Sequence, residues 1–185
     1  AVTLPEQKEE RRRTLKERCE KAAELAMNHP GSTVLWCHLN PEGDLLKKLV
    51  PGSVQVSGKD SDEYKEEMFE AFKNGQIKKL VTKGSLGGRG LNWQHCDHQT
   101  FFPSYSFETW HQCMHRSYRF GQKNRVRIDM VASEGEAGIL ARLKEKAKQA
   151  EVMFDRLVAL MNDQLNLLRV NPYTNASSLP PWMSK

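Results

Sequence analysis

Membrane-length apolar runs, paired cysteines, metal-ligand clusters and a complete phosphate loop are all missing from this 185-residue chain. No stretch approaches the roughly 18–20 apolar residues that a spanning helix needs, and Ala1-Val-Thr-Leu-Pro5 does not read as a signal peptide. The four cysteines, Cys19, Cys37, Cys96 and Cys113, form no CxxC pair. That excludes a zinc ribbon and points to reduced thiols in an intracellular protein; with no span or signal peptide the chain is expected to be soluble and cytoplasmic, without a membrane partner, and a monomer is expected. His111, Cys113 and His115 do not converge on one helix face, and His95, Cys96 and His98 have no second cluster, so no metal site is expected. Cys113 with either histidine lacks a third group to orient a nucleophile. Gly52 to Gly58-Lys59 is one residue too long for a Walker A loop, and Asp60 stands where Ser or Thr would hold magnesium. No acidic strand end resembles Walker B. The chain therefore has no self-sufficient way to hold Mg-ATP and is expected to be inactive alone.

What is present is a foldable, mildly basic domain: 38% hydrophobic, 28% charged, net charge +5. Residues 5–28 read as a charged helix with an apolar stripe of Leu15, Cys19, Ala22 and Ala26, its other faces solvated, ended by His29-Pro30-Gly31. Strands are predicted at Ser32–Cys37, Val54–Val56, Ile77–Thr82, near Gln99–Phe102 and at Val126–Val131. Between them lie a helix opened by Asn40-Pro41, a second opened by Gly58-Lys59-Asp60-Ser61, a glycine-rich turn Gly84–Gly90, and a helix over about 106–119. A helical pattern with a near-heptad repeat, Leu143 to Leu168, follows, and the Pro/Ser/Asn-rich tail 171–185 is expected to be loose. The divisions are a leading helix 1–30, a lobe 31–135, a long helix 136–170 and the tail. Alternating strands and helices predict an α/β fold with a parallel sheet covered on both faces. Loops at the strand carboxyl ends, His38–Asn40, Ser57–Lys59, Lys83–Asn92 and Pro103–Ser106, are then expected to open on one edge.

The most informative stretch is Phe107–Gln122. Gln112, Arg116 and Arg119 stand at i, i+4 and i+7, sharing a helix face, while Phe107, Trp110, Met114 and Tyr118 lie roughly opposite. The pattern predicts a helix that buries an aromatic stripe and aims two guanidiniums and an amide at phosphate, with Gly121 as its left-handed terminator. Gly84, Gly87, Gly88 and Gly90, with Lys83, Arg89 and Ser57-Gly58-Lys59, add backbone amides and cations suited to phosphate oxygens.

Gln112-x-x-x-Arg116-x-x-Arg119-x-Gly121-Gln122 resembles motif VI of superfamily-two helicases, most closely the Swi/Snf-type DNA translocases. Gly87-Gly88-Arg89-Gly90-Leu91-Asn92 is similar to their motif V, and Val34–Cys37 occupies the motif IV strand. The resemblance covers about Thr33 to Lys146 and is to the second, C-terminal RecA-like lobe. His38-Leu39-Asn40 in place of Ser-Gln, Lys65 in place of Arg, and the absence of a large insertion favour a compact bacterial or viral form. The resemblance implies a three-layer RecA-like sheet of the P-loop NTPase type in a DNA-dependent ATPase. ATP and Mg²⁺ would then be held mainly by an N-terminal RecA-like lobe. Arg116 and Arg119 would be arginine fingers, with Gln112, Gly88, Gly90 and Gln122 lining the nucleotide. Ser57, Gly58, Lys59, Lys83 and His38 would meet the backbone of DNA, duplex by resemblance. A second reading is a non-catalytic DNA-binding or interaction module that retains the fold.

Overall fold

The computed structural model describes residues 4–88, 90–104 and 106–168; Arg89, Tyr105 and the tail 171–185 lie outside the described residues. Five strands, β1 (Thr33–Cys37), β2 (Val54–Val56), β3 (Lys79–Lys83), β4 (His98–Phe101) and β5 (Arg127–Met130), form one sheet in the order β2-β3-β1-β4-β5. Every pairing is parallel, with Thr33 opposite both Lys79 and His98, and His98 opposite Arg127. The connecting helices are α1 (Leu4–Arg13), α2 (Leu15–Asn28), α3 (Asn40–Leu49), α4 (Asp62–Lys73), α5 (Gly84–Gly87), α6 (Phe107–Met114) and, after a 3-10 turn Glu134–Glu136, α7 (Ala137–Leu168).

Strand alternation makes the layers. On one face Leu35, Cys37 and Val81 pack against Cys19, Ala22 and Ala26 of α2 and Leu46 of α3. On the other Val34, Trp36, Leu80 and Phe101 pack against Phe69 and Phe72 of α4, Trp93, and Cys113 of α6. With both faces covered, β1 is buried along its whole length, as its uninterrupted apolar run requires. This is the α/β sheet expected. The chain divides into two compact units, Ala1–Glu145 and Lys146–Lys185. In the first, Ile139 and Leu143 of α7 are buried; in the second, Met153, Phe154, Leu160 and Met161 are exposed. No helix among the described residues is long and apolar enough to cross a membrane.

The leading segment differs from its sequence reading. It is two helices broken at Thr14, and two of its arginines are buried rather than solvated. The Arg18 Nη2 donates to the Arg11 carbonyl at 2.8 Å and to Glu42 Oε1 at 3.0 Å, while Nε donates to Thr14 Oγ1 at 3.1 Å. Its guanidinium also lies 4.7 Å from the Phe102 ring centre. Arg11 Nε meets Glu136 Oε1 at 3.3 Å, and Arg11 Nη2 donates to the Pro103 carbonyl. The other Glu42 oxygen accepts the His38 and Leu39 amides at 2.8 and 2.9 Å. Leu39, not Asn40, is thus the cap of α3, and a buried carboxylate supplies the acceptor that its side chain lacks. The amino edge of the sheet is a second polar ladder. Lys79 Nζ donates to the carbonyls of Ala26, His29 and Gly31 and to Thr33 Oγ1, closing the α2 C-terminus. The Thr33 hydroxyl is then left to donate to His98 Nδ1 at 3.2 Å, so Nε2 carries the proton given to Asp129 Oδ2 at 2.9 Å.

Removing one partner of the Arg18–Glu42 pair strands a buried charge, so Arg18→Ala is expected to cost about 3–5 kcal/mol in urea unfolding. Burial, foremost, holds His38, His95, His98 and His111 below the ordinary value of 6.5. The unfolded chain therefore takes up protons that the folded chain refuses, and stability should fall as pH drops through about 6.5. A urea midpoint lower at pH 5.5 than at pH 7.5 is the expected result.

Candidate functional site

The glycine-rich segment is a one-turn helix, α5, pressed onto α6. A Cβ on Gly84 would stand 2.6 Å from Thr109 Cγ2 and 2.9 Å from Cys113 Sγ; one on Gly88 would stand 2.2 Å from the Gly84 carbonyl oxygen. The Gly88 amide is already donated to that carbonyl at 2.9 Å, so it is not presented to an anion. These glycines permit close packing, and the amide cradle read from the sequence is corrected at Gly88. Gly90 is exposed with φ +74°, the left-handed value that reverses the chain after α5. Cys113, fully buried in this contact, has its thiol pushed up to about 12 by burial and is no nucleophile.

At the carboxyl ends of β1, β2 and β3, an open cleft of about 330 Å³ is lined by Asn40, Gly58, Lys59, Lys83, Ser85 and Leu86. Three residues predicted to touch a nucleic-acid backbone, Gly58, Lys59 and Lys83, meet here, and the lining holds two lysines and no carboxylate. Ser57 is turned inward: its amide and hydroxyl both go to Asp60 Oδ2, at 2.7 and 3.1 Å, which shapes the turn that presents Gly58 and Lys59. His38 does not join them. Its Nε2–H donates to the Phe102 carbonyl at 2.8 Å, and burial, with Arg11 nearby, keeps the ring neutral at pH 7. Asn40 and Ser85 lie in the strand-end loops His38–Asn40 and Lys83–Asn92 that the sequence placed on this edge, but they were not named as ligand groups because neither is charged or a glycine.

α6 ends at Met114, short of the helix expected to 119, so Arg116 and Arg119 lie in the connection to β5 rather than in a row with Gln112. The aromatic stripe is also not as expected: Cys113 is the buried residue of α6, and Tyr118 is 59% exposed. Arg116 reaches back, its Nε to the Gln112 carbonyl at 3.0 Å and Nη1 to the Leu91 carbonyl at 2.9 Å. Burial, then the neighbouring Arg119, lowers its pKa, so two cations lie close enough to repel. Arg119 is exposed, and its guanidinium takes no partner among the described residues. It lines a second open cleft, about 660 Å³, with His115, Tyr118, Phe120, Gln122, Asn124, Arg125 and Val126. The two clefts share no residue. Gln112 donates its amide to Glu108 Oε1 at 2.9 Å, along its own helix. Gln122 donates its amide to the carbonyls of Gln94, Ser117 and Cys96 at 2.7, 3.1 and 3.5 Å and accepts the Asn124 amide at 3.0 Å. Its carboxamide is a tie between loops rather than a ligand group.

Among the described residues no group of three or more His, Cys, Asp or Glu could hold a metal ion. Gln122→Ala should therefore lower stability by about 1–3 kcal/mol in urea unfolding through its unpaired carbonyls, with affinity for inorganic tripolyphosphate unchanged.

No protein-family model matches the chain, and no curated protein matches it. Solved structures do. The C-terminal part of the Fun30 ATPase domain aligns with TM-score 0.59 and 14% identity, over 68% of this chain and 44% of that one. The C-terminal domain of the DEAD-box protein Dbp5 aligns with TM-score 0.59 and 17% identity, over 70% and 78%. S. cerevisiae Dbp5 bound to RNA and ADP BeF3 aligns with TM-score 0.61 and 19% identity, over 71% of this chain. The chain spans 44% of the Fun30 structure and 36% of that Dbp5 complex. The fold is the RecA-like α/β fold of helicase C-terminal domains.

Proposed function

We propose that the chain is the second motor lobe of a nucleic-acid-dependent ATPase, a Swi/Snf-type DNA translocase. The observation that carries this reading is the exposed Arg119 guanidinium, without a partner among the described residues, beside Arg116 on a connection separate from the lysine-lined cleft. One cation-lined surface meets nucleotide phosphate and the other meets the nucleic-acid backbone. Phosphate loop and Mg²⁺ belong, in this reading, to a first lobe. When bound, the nucleotide brings the phosphoanhydride to be cleaved. This chain's part is to place positive charge where negative charge grows on the transferred phosphoryl oxygens. Arg119 reaches the nucleotide; Arg116, with two donors held by carbonyls, fixes the connection and has Nη2 left to assist.

Lys59 and Lys83 contact successive phosphates without reading bases, so binding is salt-sensitive and sequence-independent. Duplex DNA is the proposed track, on the motif VI and motif V likeness to DNA translocases. RNA in the Dbp5 complex belongs to that protein.

With a first lobe supplied, Arg119→Ala is expected to cut ATP turnover by about 10³-fold or more while DNA affinity stays within about twofold; normal turnover refutes the reading. Lys59→Ala and Lys83→Ala should each flatten the plot of log K against log salt by roughly 0.9 on duplex DNA. An unchanged slope would remove that cleft from the interface.

A further inference from the structure

The second cleft holds more than phosphate-directed charge. Phe120 is 102% exposed and Tyr118 59% exposed, at either side of Arg119. Neither ring dangles on a loose backbone. Arg119 to Gln122 forms a tight turn, with the Gln122 amide donated to the Arg119 carbonyl at 3.1 Å and Gly121 at φ +87°, the signature of a type II turn. The Gln94 side chain donates to the Phe120 carbonyl, and Gln122 ties the same turn to the backbone at Gln94 and Ser117. His115 Nδ1 bonds the Tyr118 carbonyl at 2.9 Å and its ring lies 5.8 Å from the Tyr118 ring. A fully exposed phenyl ring held by its main chain costs apolar hydration and contributes no packing to the fold.

The surroundings select the occupant. Arg119, Asn124 and Arg125 rim the same cleft, so the surface mixes flat aromatic faces with polar edges rather than forming an apolar patch. Its volume, about 660 Å³, lies within the range of small-molecule sites. A planar heterocycle with π faces and hydrogen-bonding edges fits this set. Phe120 and Tyr118 would stack on it, and the Asn124 carboxamide offers one acceptor and two donor hydrogens to its edge. We infer that this cleft takes the purine base of the mononucleotide whose phosphates face Arg119. The inference rests on the nucleotide reading above and assigns the base, which that reading leaves unplaced.

Saturation-transfer NMR on the full 185-residue chain tests it with adenosine, AMP and inorganic tripolyphosphate as separate probes. Adenine ring protons should saturate in the parent chain. Phe120→Ala, which removes no packing contact, should weaken adenosine and AMP by about tenfold or more, the scale of base–aromatic stacking, and leave tripolyphosphate unchanged. Arg119→Ala should weaken tripolyphosphate and AMP and leave adenosine unchanged. An undiminished adenine signal in Phe120→Ala, or none in the parent chain, overturns the inference. Loss for a single-stranded oligodeoxyadenylate but not for adenosine overturns the assignment to a mononucleotide. Phe120-dependent adenosine binding with no tripolyphosphate binding would sink the phosphate role of Arg119 and leave the base site standing.

Discussion

The contact between α5 and α6 exists because Gly84 and Gly88 carry no side chain. Two heavy atoms of α6, Thr109 Cγ2 and Cys113 Sγ, occupy the space a Cβ on Gly84 would need. That approach joins the two candidate surfaces: α5 follows Lys83 and carries Ser85 to the lysine-lined cleft, and α6 leads into the connection that bears Arg116 and Arg119. Arg116 strengthens the junction by holding the Leu91 carbonyl, and its own carbonyl accepts the Trp93 amide at 2.9 Å. Widening the contact by a methyl group would displace both surfaces together, because close-packed interiors transmit such strain.

Around that junction the sheet is braced at both edges by polar groups. At the amino edge Lys79, Thr33, His98 and Asp129 form an unbroken donor–acceptor sequence across four strands, β3, β1, β4 and β5. Near the carboxyl edge Arg11, Arg18, Glu42 and Glu136 tie α1 and α2 to α3 and to the turn before α7. The same network fixes the His38 amide and the Pro103 carbonyl, which terminates two of the four strand-end loops inside the protein. The lysine-lined cleft consequently opens over Asn40, Gly58 and Lys83 rather than along the whole edge. Buried ion groups of this kind add little net stability but strongly disfavour any arrangement that leaves one of them unpaired.

Fold likeness and site chemistry contribute different things. At 14–19% identity the helicase C-terminal lobes share this chain's architecture, and a shared architecture does not carry an activity. The functional reading stands on side chains: an exposed arginine without a partner among the described residues, two lysines at adjacent strand ends, and a cleft with an exposed aromatic pair. The cations stay hydrated until an anion is supplied, and the exposed Phe120 and Tyr118 rings carry an apolar hydration cost that a flat ring would relieve.

Periodicity and punctuation determined the elements. Continuous apolar runs marked the buried parallel strands, Pro30 and Pro41 marked helix boundaries, and the spacing of Gln112, Arg116 and Arg119 drew attention to the segment that holds α6 and the connection after it. These signals are local, so the chain carries them before it folds. Their geometry was another matter. Helical spacing placed the two arginines on one helix face, but the helix stops at Met114, where His115 caps it through the His111 carbonyl. Tyr118 looked buried by period and is exposed; Arg18 looked solvated and is buried. Gln122 looked like a ligand group and is a loop tie, and Gly88 looked like an anion cradle and is a packing surface. For Arg18 and Gln122 the deciding partner lies far away in sequence, Glu42 and Gln94, whereas Gly88 gives its amide to Gly84 within one helical turn. Whether a polar group is used inside the protein or left for a ligand depends on which acceptor is within about 3 Å, and only the tertiary fold sets that distance.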